Sequence, residues 1–332
     1  MKIFKIVEVL FKLRIRLRSK FVLVFKSKSF YNKFYISYWN YIFSTNNSIG
    51  FSLNYYSALP NPGAGIGHQI ANWIAGYWFA KKFGLEYAHS PFSNLAWDSF
   101  LGFGENEITV DELIKGGYKK IRLPFFDELN AKEIDLHKKI ISSYSNRNVI
   151  FIAEQDQVYK DQFGVMDTLS DKFYNSPSRV YDKLIFDTKF INIAIHVRRG
   201  DIGGRINDNP NFFLRWQGNE YFINVLRSVL DTAKTEKPIA IYLFSQGNVE
   251  NFAEFNQFEN LHYCLDMNPM DSFLHMVNAE ILITSKSSFS YKPALINKGI
   301  KVCPKDFWHG YPKTNDWVLV DEKGYLLNKL KF

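Results

Sequence analysis

Cysteine is scarce in this chain of 332 residues: it has two, Cys264 and Cys303, each inside an apolar run. Two thiols make neither a disulfide framework nor a structural zinc site, so both are expected as small buried hydrophobes in a reducing compartment. Long apolar runs are lacking too. Near the amino terminus the longest is FVLVF, residues 21–25, far below the roughly 20 residues that a membrane-spanning helix needs. It is also shorter than the apolar core of a signal peptide. There is no Asp-x-Asp, no HExxH and no GxxxxGK[ST]. The first absence disfavours a divalent metal held on clustered carboxylates, and the others leave no zinc-protease or P-loop signature. Internal repeats and low-complexity linkers are absent as well.

The chain has apolar residues in plenty, 46% of its length with 31 Phe and 19 Tyr, which is ample for a buried core. Positive charge is plentiful but local. Residues 1–33 hold ten Lys and Arg against the single acid Glu8, a surplus of nine in a chain whose net charge is +8. The remainder therefore carries one negative charge, and a nucleic-acid partner is not expected. Residues 1–48 read as a basic amphipathic tail that lies on an anionic membrane surface, although KLRIRLR also alternates like a strand and a packed helix is the plainer reading. The turn-rich STNNSIG, residues 44–50, ends that tail.

From Phe51 onward strands and helices alternate. FSLNYYSA reads as a strand, NPGAGIG as a tight loop, and HQIANWIAGYWFAKKFG as a helix stopped by Gly84. LEYAH, KKIRLPF and NVIFIAEQ read as strands, with EIDLHKKIISSY as a helix between the last two. The second half is more regular, with strands INIAIHV, KPIAIYLFS, NLHYCLD, ILITS and IKVCP separated by helices. One of those helices, FSYKPALINKG, is expected to carry Pro293 in its first turn. Apolar strands separated by helices imply parallel sheets with right-handed crossovers. The expected fold is α/β: two Rossmann-like domains with parallel sheets facing a cleft, over residues 49–185 and 186–305. Residues 306–332 are expected to pack back on the body.

Two strand ends carry chemistry. INIAIHV runs into Arg198, Arg199, Gly200 and Asp201. His196 and Arg198 are two apart, so they share a face of the strand. Arginine at a strand end suits an anion such as phosphate, although a structural Arg–Asp pair fits these residues equally well. ILITS runs into Lys286, Ser287, Ser288, Phe289 and Ser290 at the start of a helix, where free N–H groups favour an anion and where plain capping is also common. In a parallel sheet both ends emerge at the same edge. Two anion-binding devices there suit a nucleoside diphosphate.

HVRRGD, followed downstream by SSFSYKPALI, resembles the fucosyltransferase superfamily that includes bacterial α-1,2-fucosyltransferases and the α-1,6- and protein O-fucosyltransferases. NPGAGIGHQIANWIAGYWFAKKFGLEY is similar to the glycine-rich opening of the same enzymes. The likeness covers residues 59–90 and 191–304. It implies a GT-B-like fold and an inverting, metal-independent transfer of L-fucose from GDP-β-L-fucose, with no cofactor besides that donor. By the match Arg198 would bind the β-phosphate and stabilise the departing GDP, and Arg199 would assist or hold the loop. His196 and Asp271 would lie near the guanine, and Ser288, Phe289 and Ser290 would line the diphosphate. The implied product is an α-1,2 linkage to a galactoside-type acceptor, a glycan or lipid-linked oligosaccharide. Together with the tail this places the enzyme in the cytoplasm, peripheral on the inner face of the membrane, in capsule or lipopolysaccharide synthesis. The sequence departs from the family pattern at Gln246 and Gly247, where acids are usual, at His68 in the glycine loop, and at Lys286, Tyr291 and Lys292 around the serines.

Inversion needs a group that accepts the acceptor's proton. His68 beside Gly65 and Gly67 is one candidate, since histidine titrates near neutrality, and Asp201 is another. His68 also fits as a helix-start residue bonded to backbone. Lys286 reads as an added phosphate contact or a surface charge. Trp73, Tyr77 and Trp78 fit either a sugar platform or the core. Three other functions compete: transfer from a different nucleotide sugar on the same fold, a non-catalytic sugar-binding protein, and a dinucleotide-dependent oxidoreductase built on GAGIG. The oxidoreductase is disfavoured, because the spacing of Gly63, Gly65 and Gly67 departs from G-x-G-x-x-G and Glu86 begins its strand instead of ending it.

Overall fold

The computed structural model describes Leu17 and residues 54–61, 63–123, 127–153, 163–200, 214–233 and 235–328. The basic segment, apart from Leu17, and Asp201 lie outside the described residues.

Strand and helix alternate as the periodicity requires. β1 (Tyr55–Ala58) leads through the glycine-rich loop into α1 (Ile66–Phe83), followed by β2 (Glu86–Tyr87). α1 stops where expected: Gly84 takes φ +65°, and Lys81 and Lys82 fill the last turn, where cations meet the carbonyl end of the helix dipole. Two short helices, α2 (Leu95–Leu101) and α3 (Val110–Lys115), come from local capping. Asn94 caps the first, and a reciprocal Thr109–Glu112 capping box starts the second. β3 (Lys119–Arg122), α4 (Ala131–Ser142) and β4 (Val149–Ala153) complete this half. The four strands pair in the order β2-β1-β4-β3, every pairing parallel.

The second half runs α5 (Met166–Tyr174), β5 (Ile191–His196), α6 (Asn219–Thr232), β6 (Ile239–Ser245), β7 (Leu261–Leu265), α7 (Pro269–Asn278), β8 (Ile281–Ile283), α8 (Ser288–Ile296), β9 (Ile300–Pro304) and β10 (Trp317–Val320). Its six strands lie in the order β10-β9-β8-β5-β6-β7, again all parallel. The fold is thus α/β with two parallel sheets. Part of residues 306–332, expected as an extension, forms β10 and extends the sheet beyond β9.

The described residues divide into two compact units that interleave along the chain. One is drawn from Met1–Leu59, Ala75–Ser90 and Ile108–Tyr159, and the other from Pro60–Ile74, Pro91–Glu107 and Lys160–Phe332. The glycine-rich loop and the first half of α1 therefore group with the six-stranded sheet, unlike a simple division after residue 185. Trp73 explains part of this grouping: it is 1% exposed, with its ring 4.8 Å from Phe103. Tyr77 and Trp78 are half-buried under Lys81 and Lys82, so of the three aromatics Trp73 is plainly core.

In the six-stranded sheet Ile193, Ile195 and Val197 share one face of the β5 segment and pack with Phe222, Val225 and Leu226 of α6. Alternation turns Ala194 and His196 to the opposite face. α8 is buried from Ser290 to Ile296. Pro293 lies inside this helix and not in its first turn, so the carbonyl of Phe289 loses its usual N–H partner. Packing on all sides holds the helix despite that loss. Cys264 and Cys303 are free and buried, and burial pushes both thiols up to about 12. Among the described residues no helix is long and apolar enough to cross a membrane.

Candidate functional site

Counted from β5, the six-stranded sheet reads 3-2-1-4-5-6 from β7 to β10, the strand order of the doubly wound fold. The chain moves outward from β5 through β6 to β7, then crosses back to β8 on the other side of β5. The carboxyl ends of β5 and β8 are therefore the switch point of this strand order, the place where such sheets bind ligands. The two motifs singled out in the sequence leave the sheet at this point.

Strand pairing brings them into contact. β5 and β8 are neighbours, with Ile195 opposite Ile283. One step beyond, His196 Nδ1 lies 2.8 Å from Ser285 Oγ, and the imidazole stands 5.5 Å from the Phe289 ring. His196 is 8% exposed. Burial holds its pKa down to about 3, and the charges of Arg198 and Arg199 press in the same direction. It is thus a neutral imidazole that can orient a hydroxyl or a base edge, but it does not carry charge at neutral pH.

The two adjacent arginines differ in use. Arg199 is tied to its own unit: Nη1 donates to the carbonyls of Arg198 (2.8 Å) and Gln217 (3.0 Å), and Nη2 to Asn219 Oδ1 (2.6 Å). Its guanidinium lies 4.3 Å above the Trp216 ring. Burial lowers its pKa to about 10, which Glu254 partly opposes, so it remains a cation at neutral pH. Arg199 anchors the loop to the start of α6. Arg198 is half-buried, two residues beyond the end of β5. Gly200 takes φ +26°, and a Cβ there would run into the Gln246 side chain.

The loop after β8 is equally braced. Ser287 caps α8 by accepting from Phe289 N at 3.2 Å. Ser290, fully buried, contacts the turn around Ser285 and Ser287 through its hydroxyl. Ser288 and Phe289 are half-buried at the helix start. Lys286 N donates to Gln217 Oε1 at 2.8 Å. Gln217 therefore joins the two loops, its carbonyl taking Arg199 and its side chain taking Lys286.

The glycine-rich loop belongs to the same unit. A Cβ on Gly67 would stand 2.7 Å from the carbonyl carbon and oxygen of Ser288, so only glycine lets the start of α1 approach the start of α8 this closely. Gly65 is exposed with open space beside it. His68 follows half-buried, its Nε2 3.5 Å from Asn61 Nδ2. Two further buried residues of this unit carry ionisable groups. Lys292 is wholly buried in α8, and His309 is 4% exposed in the segment after β9. His309 stacks on Tyr291 at 5.4 Å and feels the charges of both Lys292 and His68.

Of the residues named from sequence, the structure gathers His196, Ser287, Ser288, Phe289 and Ser290 at the β5–β8 strand ends, with Arg198 two residues beyond β5. Gly67 sits against Ser288, with His68 next in the chain. Asp271 is exposed in the first turn of α7, and its described bond is through its carbonyl, which accepts from His275 Nδ1 at 2.7 Å. Ser285, Gln217 and His309 were missed, and Lys292 was named only as a departure from the family pattern. A lysine inside the otherwise apolar KPALI was the one visible signal, and no local pattern marks the other three.

No protein-family model matches the chain, and no curated protein matches it. Among solved structures it is similar to the Bradyrhizobium NodZ α-1,6-fucosyltransferase co-crystallized with GDP, at 12% identity over 73% of this chain and 92% of that one, with a TM-score of 0.42. It is also similar to a mutant of Arabidopsis thaliana FUT1 in complex with GDP, at 8% identity over 82% and 76% of the two chains, with a TM-score of 0.45. A third likeness is to POFUT1 in complex with GDP, at 12% identity over 76% and 98%, with a TM-score of 0.44.

Proposed function

We propose that this chain is a glycosyltransferase that moves L-fucose from GDP-fucose, with inversion and without a metal ion, onto a galactoside of a surface glycan in α-1,2 linkage. One observation carries the reading: at the switch point of a doubly wound sheet, the arginine-bearing end of β5 and the serine-bearing start of α8 are joined by the His196–Ser285 contact. The HVRRGD and SSFSYKPALI motifs at those two places support GDP-fucose as the donor.

The chemistry asks for little more. Breaking the sugar–phosphate bond builds negative charge on the departing diphosphate. In this reading Arg198 and the N–H groups at the start of α8 receive it, and Arg199 holds the loop that carries Arg198. Losing one comparable donor costs about 2.7–4 kcal/mol of transition-state stabilisation. His68, beside Gly67, is the proposed acceptor of the incoming hydroxyl proton, with Asp201 as the other candidate. Membrane contact through residues 1–48 belongs to the same reading, and sedimentation of the full chain with anionic vesicles tests it.

Thermal shift against GDP, GDP-fucose, UDP and NAD tests the donor. Stabilisation by the guanosine nucleotides alone, lost in Arg198→Ala, is the expected result. Stabilisation by NAD alone would establish the oxidoreductase instead, and no response to any of the four would sink a nucleotide-dependent activity. Turnover of GDP-fucose on a panel of galactosides then reads the linkage.

A further inference from the structure

We propose that Gln217 is a positioning residue for the transfer step: it holds the arginine-bearing loop and the serine-bearing loop in the relative placement that receives the departing diphosphate. The inference rests on the reading of the β5–β8 switch point as a diphosphate site.

The observation behind it is a strap of three successive residues, Arg215, Trp216 and Gln217, just ahead of α6. Each reaches a different loop of the six-stranded sheet. The Arg215 guanidinium lies 5.2 Å from the centre of the Trp308 ring, in the segment after β9. The Trp216 ring lies 4.3 Å from the Arg199 guanidinium, in the loop after β5. Gln217 Oε1 accepts from Lys286 N at 2.8 Å, in the loop after β8. β5, β8 and β9 are parallel neighbours, so their three loops leave the sheet at one edge. The strap continues into α6, whose Phe222, Val225 and Leu226 belong to the core packed on β5, so it is fixed to a rigid element.

Gln217 links the two motif loops because both of its oxygens are engaged. Its carbonyl accepts from Arg199 Nη1 at 3.0 Å, and that same nitrogen donates to the Arg198 carbonyl at 2.8 Å. One guanidinium nitrogen thus holds the main chain of Arg198 to that of Gln217. The side chain of Gln217 meanwhile holds the Lys286 amide, one residue before Ser287, the cap of α8. The His196–Ser285 contact joins the same two loops nearer the strands. The Gln217 link lies beyond it, where the cation and the helix start are.

The effect belongs to rate more than to affinity. Free GDP can re-seat itself between loops that have shifted slightly. During transfer the diphosphate must stay in line with the sugar and the acceptor hydroxyl, so a small misplacement of its donors slows the reaction. Lys286 is half-buried, so water can replace the acceptor that its amide would lose, and the fold survives that loss.

Steady-state kinetics with GDP-fucose, calorimetric titration with GDP and thermal melting, on the full chain and two variants, test this. Gln217→Met keeps the length of the side chain and removes the acceptor. Its kcat should fall by about 10–100-fold, with the GDP-fucose KM and the GDP Kd changed by less than about threefold and the melting temperature close to the parent's. Gln217→Glu restores an acceptor for Lys286 N, and the Arg199 guanidinium bonded to the same residue's carbonyl offsets the added charge. It should recover most of the lost rate. Should Gln217→Met not fold, Gln217→Asn, whose amide is one carbon too short, carries the same expectation. A parental kcat in Gln217→Met, a loss of rate matched by an equal loss of GDP affinity, or a Gln217→Glu variant no faster than Gln217→Met overturns the inference and leaves the proposed function standing. A parent that neither binds GDP nor turns over GDP-fucose takes both down.

Discussion

Among its described residues the six-stranded unit buries two lysines, in different surroundings. Lys301, 1% exposed in β9, donates to the carbonyls of Gly299 at 2.9 Å and Asn297 at 3.2 Å and pairs with the Asp316 carboxylate. Burial alone would raise the Asp316 pKa, yet the Lys301 ammonium and Thr314 leave it lowered, as a committed ion pair requires. Lys292, with no exposure at all, has its Nζ 5.1 Å from the centre of the Tyr291 ring, and burial holds its amine well below the usual lysine range. A cation whose acceptors are built into the same sheet edge ties strands together.

Acid should break the comparison most visibly. Free histidine titrates near 6.5, whereas folded His196 and His309 resist protonation until about 3 and about 2. Below 6.5 the unfolded chain binds protons that the folded chain refuses, so stability falls as pH falls through that window. From pH 7 to pH 5 the loss is about 2 kcal/mol for each histidine, measured by urea unfolding. His309→Gln should remove about half of it. An unchanged acid slope in that variant would take the acid-sensitive group away from the Lys292 cluster.

Lys301→Met comes next. It strands two carbonyls and an acid that is itself 43% exposed, which reduces the cost of the lost pair. The expected destabilisation is roughly 2–3 kcal/mol, read as a lower denaturation midpoint with an unchanged acid slope. Lys292→Met should have the smallest effect, a change of roughly 1 kcal/mol or less, because a flexible apolar chain of similar length replaces an amine whose charge burial disfavours. If both variants lose stability alike, the two lysines do the same job and the contrast is gone.

The strands of the six-stranded sheet were legible because each is a short apolar run bounded by turn residues. β10 was not, since TNDWVLVDEKG gives four strand residues among polar neighbours, and β9 had to offer its edge before they paired. α2, α3 and α5 escaped for a related reason. Each is short, and local caps and tertiary packing, not a long apolar stripe, hold them. At the site, Arg198 and the serines were legible because cations and small hydroxyl residues at strand ends are rare enough to stand out. Gln217 and His309 were not. They lie far along the chain from the motifs, and nothing in RWQGN or DFWHGYP distinguishes a residue that bridges loops from an ordinary surface residue.

The sequence by itself determined the alternation of strands and helices, the parallel sheets that such alternation demands, and the two chemically marked strand ends, because periodicity and side-chain charge are properties of neighbours along the chain. Tertiary structure alone decided that the glycine loop groups with the six-stranded sheet, that Arg199 is an anchor, and that Gly67 meets Ser288 while His309 stacks on Tyr291. Those outcomes depend on which strands become neighbours when the chain crosses back over β5, and on how much water that crossing excludes. No window of the sequence contains either quantity.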